Sequence, residues 1–457
     1  MLNQTVASRV IDKALSLGAD FCEIFAEDRR ELTLKYEDQQ CSNASRVNIY
    51  GAGIYLLRGT SSIYVYTSDL TEDGLMKLLN RGAPFLQGGR TAEPMTFHQH
   101  PVAEPNPIRS YPGTVQLYPK VKILAETDSA LRAAIKAAYH AEYSYIDMEQ
   151  KIVVAASDGT WAEDQRVTTR LRNRFTVSSG TESTGTFIDF TRPMGFEAFE
   201  NGQHITQFLR EVHEWEESLY ADEAPRGRFP VVFEGGNCVG TFFHEACGHQ
   251  LETTNMKAES AYFRDKLGMR VASEKVTLID DGTLAGQYGS SKYDDEGMPR
   301  QKNILIENGI LKSFLVDRIG SRRFGVPRTG SGRRENYTFA PAARMSNTYL
   351  AAGNDDPDEM IREIDLGILV VGMGGGTGGE EFTLECPRSF LIKDGKVDQL
   401  LKNTMLVGRG DETMTKIDRV SNKLVWEEGG AFCGADSGLC NTTTSGARMR
   451  VTEMVIG

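Results

Sequence analysis

The amino-acid sequence predicts an α+β protein: an N-terminal α+β domain built on an antiparallel sheet, then a β-rich C-terminal domain carrying one buried helix with two histidines. Three observations carry this. Residues 4–79 read as an amphipathic helix, several alternating strand-like runs and a second helix. A similar order of helix then strands recurs from Lys120. Beyond about residue 271, short apolar runs are separated by Asp280-Asp-Gly282, Glu307-Asn-Gly309 and Lys393-Asp-Gly395, dipeptides that mark hairpins. At 457 residues the chain is long for one core. The division is expected at Ala221–Arg228, where Pro, Gly and charge break the periodicity, giving domains 1–222 and 223–457.

The elements follow in order. Val6, Val10, Ala14 and Leu17 share a face of a helix that Gly18 stops. Phe21–Ala26, Glu31–Tyr36, Val47–Leu56 and Ser62–Thr67 alternate as strands, and Thr71–Leu79 reads as a capped helix. Residues 88–116, rich in Pro, Gly and polar side chains, read as a linker. A helix over Lys120–His140 and strands near 142–156 and 160–178 repeat the first pattern, which suggests two similar helix-plus-strands units. Residues 201–221 are helical, Phe229–Glu234 is a buried strand, Gly235-Gly-Asn237 is a turn, and Cys238 to about Met256 is the histidine-bearing helix.

Lys plus Arg total 51 and Asp plus Glu 63, a net charge of −12, so the chain lacks the broad basic surface that phosphate backbones attract. Direct nucleic-acid binding is not expected. The N-terminus has no basic region followed by an apolar core, and no run of about 18 apolar residues occurs, so neither secretion nor a membrane span is expected. Seven cysteines at scattered spacings suit buried free thiols in a reducing cytoplasm.

The chemistry concentrates in His244-Glu-Ala-Cys-Gly-His249. Two imidazoles and a carboxylate suit a catalytic metal with Glu245 as general base. Yet the histidines are i and i+5, which on a regular helix leaves them about 140° apart. Convergence therefore requires a distorted helix near Gly248, for instance a π-bulge. Candidates for a third ligand are Glu252, Cys247, Cys238, Cys433 and Cys440, and Glu252 is also placed to orient a histidine ring. Cys433 lies among glycines that permit close approach. Gly372–Gly379 lacks the features of a phosphate loop and reads as a flexible loop or a rim for a peptide backbone. Tyr293-Asp-Asp-Glu-Gly297 reads as a solvated turn or a support for the site. Gly330–Tyr337 and Arg344–Tyr349 carry arginines that would hold a carboxylate or oxyanion, or form structural ion pairs.

Taken with these motifs, His244-Glu-Ala-Cys-Gly-His-Gln-Leu-Glu252 resembles the signature of the TldD/PmbA family. The resemblance runs through Asp294–Gly297, Leu305–Lys312, Gly330–Glu335, Arg344–Tyr349, Gly374–Gly376 and Cys433-Gly434. It implies a zinc metallopeptidase acting on peptides or unfolded segments, with one Zn2+ held by His244, His249 and Cys433 and a water activated by Glu245. Glu252, Arg344, Asn347, Gly374, Gly375 and Gly376 fall in the shared motifs and are expected to support the site or bind substrate. The intact histidine motif implies the TldD-type active subunit. The family implies a homodimer, or a heterodimer with a PmbA/TldE-type subunit, in whose cavity an extended peptide pairs with strand edges. The family also carries the label of DNA gyrase modulator, so the alternative is a non-catalytic regulatory subunit, which would hold no metal. One departure stands out: after the cysteine the family reads Cys-Gly-Lys-x-Gly-Gln, whereas this chain has Cys433-Gly-Ala-Asp-Ser-Gly438 with Cys440 nearby as a rival ligand.

Overall fold

A computed structural model describes residues 1–86, 96–378, 381–426 and 429–457. Part of the expected 88–116 linker thus lies outside the described residues. The first helix, α1 (Gln4–Ser16), is capped by Asn3, whose side chain accepts from the Val6 amide, and buries Ala7, Val10, Ile11, Ala14 and Leu15. It is followed by β1 (Phe21–Glu37), β2 (Gln40–Arg58), β3 (Ser61–Thr67) and α2 (Glu72–Gly82), then by α3 (Leu117–Ala134), β4 (Ala138–Ala156), β5 (Trp161–Ser179), β6 (Glu182–Arg192) and α4 (Gln203–Ser218). The helix–three strands–helix order occurs twice.

The two units merge into one six-stranded antiparallel sheet of order β3-β2-β1-β4-β5-β6. Their junction is the β1–β4 ladder, in register from Glu23↔Ala156 to Tyr36↔Tyr143. Three expectations are corrected here. Phe21–Ala26 and Glu31–Tyr36 are one 17-residue strand, because β2 and β4 pair along both its edges. The helix expected to reach His140 ends at Ala134, and His140 already pairs with Thr176 in the β4–β5 ladder. Glu182–Arg192, for which no strand is expected, completes the sheet.

One face of β1 (Cys22, Ile24, Ala26) packs under α1 and α2, while the other (Phe21, Phe25) meets Ile319, Tyr293 and Tyr337 of the C-terminal half. Burial on both faces replaces the alternation that would mark a half-exposed strand. Between those apolar contacts runs a charged seam. Arg334 pairs with Glu23 at 2.6 Å and donates to the Asp295 carbonyl at 2.7 Å, and Arg166 pairs with Asp295 at 2.6 Å. Asp294, Asp295 and Glu296 are thus buried, not solvated, because arginines compensate their charge. The arginines of Gly330–Tyr337 are structural here.

The C-terminal half is a second, larger sheet centred on β7 (Gly227–Phe233), which lies between the 19-residue strand Gly438–Ile456 and Leu366–Gly372. Asn308-Gly309 and Asp394-Gly395, all at positive φ, close tight hairpins as expected. Asp280-Asp-Gly282 does not: Leu278–Asp281 pairs with Lys302–Glu307 across a long excursion. The single expected helix is also corrected, since short helices at Arg318–Phe324, Glu359–Arg362 and Gly410–Thr413 join the buried one, α5 (Asn237–Phe243).

Candidate metal centre

Phe242 and Phe243 anchor the end of α5 in the main core, beside β7. The next residues widen into a π-helical turn, His244–Gly248, in which the His249 amide donates to the His244 carbonyl. A one-turn 3-10 segment, His249–Leu251, follows. The i→i+5 bond adds a residue to the turn and re-phases the pair, so both imidazoles fall on one side. Their ring centroids are 4.7 Å apart at 85°. The long helix expected to run to Met256 is therefore broken at the position the spacing requires. Gly248 keeps ordinary helical angles (φ −55, ψ −51), so it does not supply unusual torsion. It supplies room, because a Cβ there would meet the Met345 sulfur at 2.4 Å.

Cys433 comes from the other end of the chain, on the strand Ala431–Ala435, which forms a hairpin with Gly438–Ile456. Its Sγ lies 3.2 Å from His244 Nε2 and 3.5 Å from His249 Nε2. All three atoms fall within 4.8 Å of one another. Metal–ligand lengths of about 2.0–2.3 Å in a tetrahedron put ligand atoms roughly 3.4–3.6 Å apart, so these residues fit zinc or a similar ion. Burial alone would push the Cys433 thiol up, but hydrogen bonds from His244 and His249 hold it down to about 4. Burial opposes the charge on His249, while Cys433 and Glu252 outweigh it and raise its pKa to about 10. The donor set thus favours a thiolate, the form that ligates metal.

Of the other candidates, Glu252 is drawn in beside the cluster and does not join it. Its Oε2 lies 3.2 Å from His249 Nδ1, and its Oε1 accepts from the Met345 amide at 3.2 Å. A carboxylate on the far nitrogen fixes ring orientation and tautomer. Glu252→Gln is expected to weaken metal affinity by about 10–100-fold, read by competition with a chromogenic chelator. Arg344, 1% exposed, donates to the Cys433 carbonyl and, at 3.0 Å each, to Ser437 Oγ and the Gly438 carbonyl. It holds the hairpin that carries Cys433. Cys440 is not in the cluster, nor are Cys238 and Cys247. Asn347 is fully buried, bonded to the Asp281 carbonyl and Ser290 Oγ, and does not line the cleft.

The cluster opens into a cleft of about 790 Å3. Glu245 lines it, and burial raises its carboxyl pKa while His244 and His249 pull it back. The glycine-rich strand Gly375–Thr377 runs against Glu245: a Cβ on Gly376 would come within 3.2 Å of its Cγ, and one on Gly378 within 2.7 Å of its Oε2. Gly376 lines the cleft, while Gly374 and Gly375 stand outside it. Among the described residues Gly375–Thr377 has only one strand neighbour, Glu381–Cys386. Ala431–Ala435 likewise has only one, so two free strand edges flank the cleft. Gln250, Asn255, Tyr262 and Phe432 also line it, and no motif in one sequence distinguishes them.

Two ring nitrogens set against a cysteine sulfur, with a glutamate lining the same cleft between open strand edges, make the apparatus of a metallopeptidase. Descriptions of PmbA/TldA metallopeptidase domain 1, central domain and C-terminal domain match residues 22–83, 110–224 and 226–457. The chain belongs to the PmbA/TldD family. It is 32% identical over 429 residues to the metalloprotease TldD homolog of Buchnera aphidicola from Acyrthosiphon pisum, covering 89% of this chain and 86% of that one. It is 29% identical over 453 residues to the metalloprotease TldD homolog of Haemophilus influenzae, covering 96% and 93%. Its fold is that of the crystal structure of TldE from Thermococcus kodakarensis (TM-score 0.72, 18% identity, 99% of this chain and 100% of that one).

Proposed function

We propose that this metallopeptidase is zinc-dependent and cleaves peptides or unfolded polypeptide segments. His244, His249 and Cys433 would hold one Zn2+, and Glu245 would be the general base. The observation that carries the reading is the position of Cys433 Sγ, 3.2 and 3.5 Å from two imidazole nitrogens. When bound, the ion would polarise the scissile carbonyl and bring the pKa of a water near 7. An extended peptide adds to the free edges of Gly375–Thr377 or Ala431–Ala435 by main-chain hydrogen bonds, a mode that asks little of side chains. Glu245 takes the proton of the attacking water and passes it to the leaving amine. The absence of a Cβ at Gly376 and Gly378 lets that stretch of backbone lie directly against the Glu245 side chain and hold it at the edge of the cleft.

His249→Ala is the first test. The variant is expected to bind zinc at a small fraction of the wild-type stoichiometry, measured by atomic emission, and to lose cleavage of an unfolded casein-type substrate. Wild-type protein purified with no zinc would instead favour a non-catalytic regulatory subunit. The separate sheets, with the family-model boundary between residues 224 and 226, support a division into domains 1–222 and 223–457. Likeness to a TldE supports pairing with a PmbA/TldE-type subunit, against which a homodimer is weighed by sedimentation of the chain alone. A cytoplasmic location fits the free thiols, six of them buried.

A further inference from the structure

Cys440 has no part in the cluster, yet it stands directly across the ladder from Cys433. The hairpin Ala431–Ala435/Gly438–Ile456 pairs Cys433↔Cys440 in strict register. Partners opposite each other in an antiparallel ladder project to the same face, with Cα atoms about 4.5 or 5.5 Å apart. Both values fall within the roughly 4.4–6.8 Å that a disulfide spans. The register is held from outside, by Arg344 on the Cys433 carbonyl, Ser437 and Gly438, and by Glu335, whose Oε2 accepts from the Leu439 amide at 2.8 Å. The two sulfurs differ in surroundings. Cys433 faces the open cleft between two imidazoles, whereas Cys440 borders a second cavity of about 280 Å3, with Arg333 and Asn441.

We propose that Cys433 and Cys440 form a reversible redox pair, in which a peroxide converts the thiols to a cross-strand disulfide and withdraws Cys433 from the metal centre. The Cys433 thiolate attacks one oxygen of hydrogen peroxide. The O–O bond breaks, leaving a sulfenic acid, and the departing hydroxide takes a proton to become water. The Cys440 sulfur then attacks the sulfenic sulfur. The S–S bond forms, the S–O bond breaks, and the second hydroxide leaves with the proton from Cys440 as water. Two thiols and one peroxide give one disulfide and two waters. Loss of the metal rests on the function proposed above, whereas the disulfide itself does not.

The full chain, metal-free and zinc-loaded, is treated with hydrogen peroxide, alkylated and cleaved before Asp436, which lies between the two cysteines. The expected result is two fragments that stay joined until a thiol reductant is added, with zinc released on oxidation and rebound after reduction. Cys440→Ser is expected to give separate fragments, to accumulate sulfinic and sulfonic acid at Cys433, and to recover no zinc on reduction. Fragments that separate without reductant in the wild type would overturn the proposal, as would full zinc recovery by Cys440→Ser. A chain that never binds zinc would refute the metal assignment alone, because the joined fragments are read in metal-free protein as well.

Discussion

Glu245→Gln is expected to lower kcat for peptide cleavage by about 10²–10⁴-fold, with zinc content and stability unchanged. Gln preserves the shape and the hydrogen-bond acceptor but cannot take a proton. The side chain is half-buried at the edge of the cleft, where Gly376 and Gly378 crowd it, so its replacement must be isosteric. Burial raises the Glu245 carboxyl pKa, which strengthens it as a base, while His244 and His249 keep it from rising further. The variant retains the metal and the strand edges, so KM is expected to move little and residual turnover to persist. Undiminished kcat in a zinc-loaded preparation would remove Glu245 from the mechanism and leave the donor cluster untouched.

Arg334→Ala is expected to destabilise the fold by about 3–5 kcal/mol, read as a fall in the denaturant midpoint. The Arg334 and Glu23 side chains are both fully buried and 2.6 Å apart. The guanidinium also faces the Phe25 ring at 4.4 Å and the Asp295 carbonyl at 2.7 Å. Deleting it leaves the buried Glu23 carboxyl without its hydrogen-bonded partner and the Asp295 carbonyl without a donor. The double variant Glu23→Leu/Arg334→Met is expected to regain most of the loss, because removing both charges removes the desolvation penalty. A single-variant cost below about 1 kcal/mol, the range of exposed pairs, would contradict this account of the seam. The effect should reach the metal centre: the adjacent Glu335 holds the hairpin through Ser437 and Leu439, so Arg334→Ala is also expected to weaken zinc binding.

Much of the centre was legible along the chain. The His244–His249 spacing demanded a helix distortion, and the distortion is present as a π turn. The reason assigned to Gly248 was different, since steric room beside Met345 and not torsional freedom explains it. Spacing and composition left the third donor open among Glu252 and four cysteines, and only the family resemblance pointed to Cys433. Only the hairpin register puts Cys433 between the imidazoles and leaves Cys440 beside it. Asn347, placed by motif among residues that support the site or bind substrate, uses its side chain in bonds to Asp281 and Ser290 and stands off the cleft.

The sequence by itself determined what nearest neighbours encode: the amphipathic first helix, the Asn308-Gly309 and Asp394-Gly395 turns, and the His-Glu segment behind an apolar helix. Periodicity and turn chemistry act over a few residues, so one chain suffices to read them. Tertiary structure alone decided the merging of two units into one sheet, the burial of Asp294–Glu296, and the position of Cys433 beside the two imidazoles. Each of these depends on a partner far along the chain, as Glu23 depends on Arg334 across 311 positions and His244 on Cys433 across 189. A buried charge and a solvated one look alike in sequence. What separates them is the counter-charge or ligand that folding brings within about 4 Å.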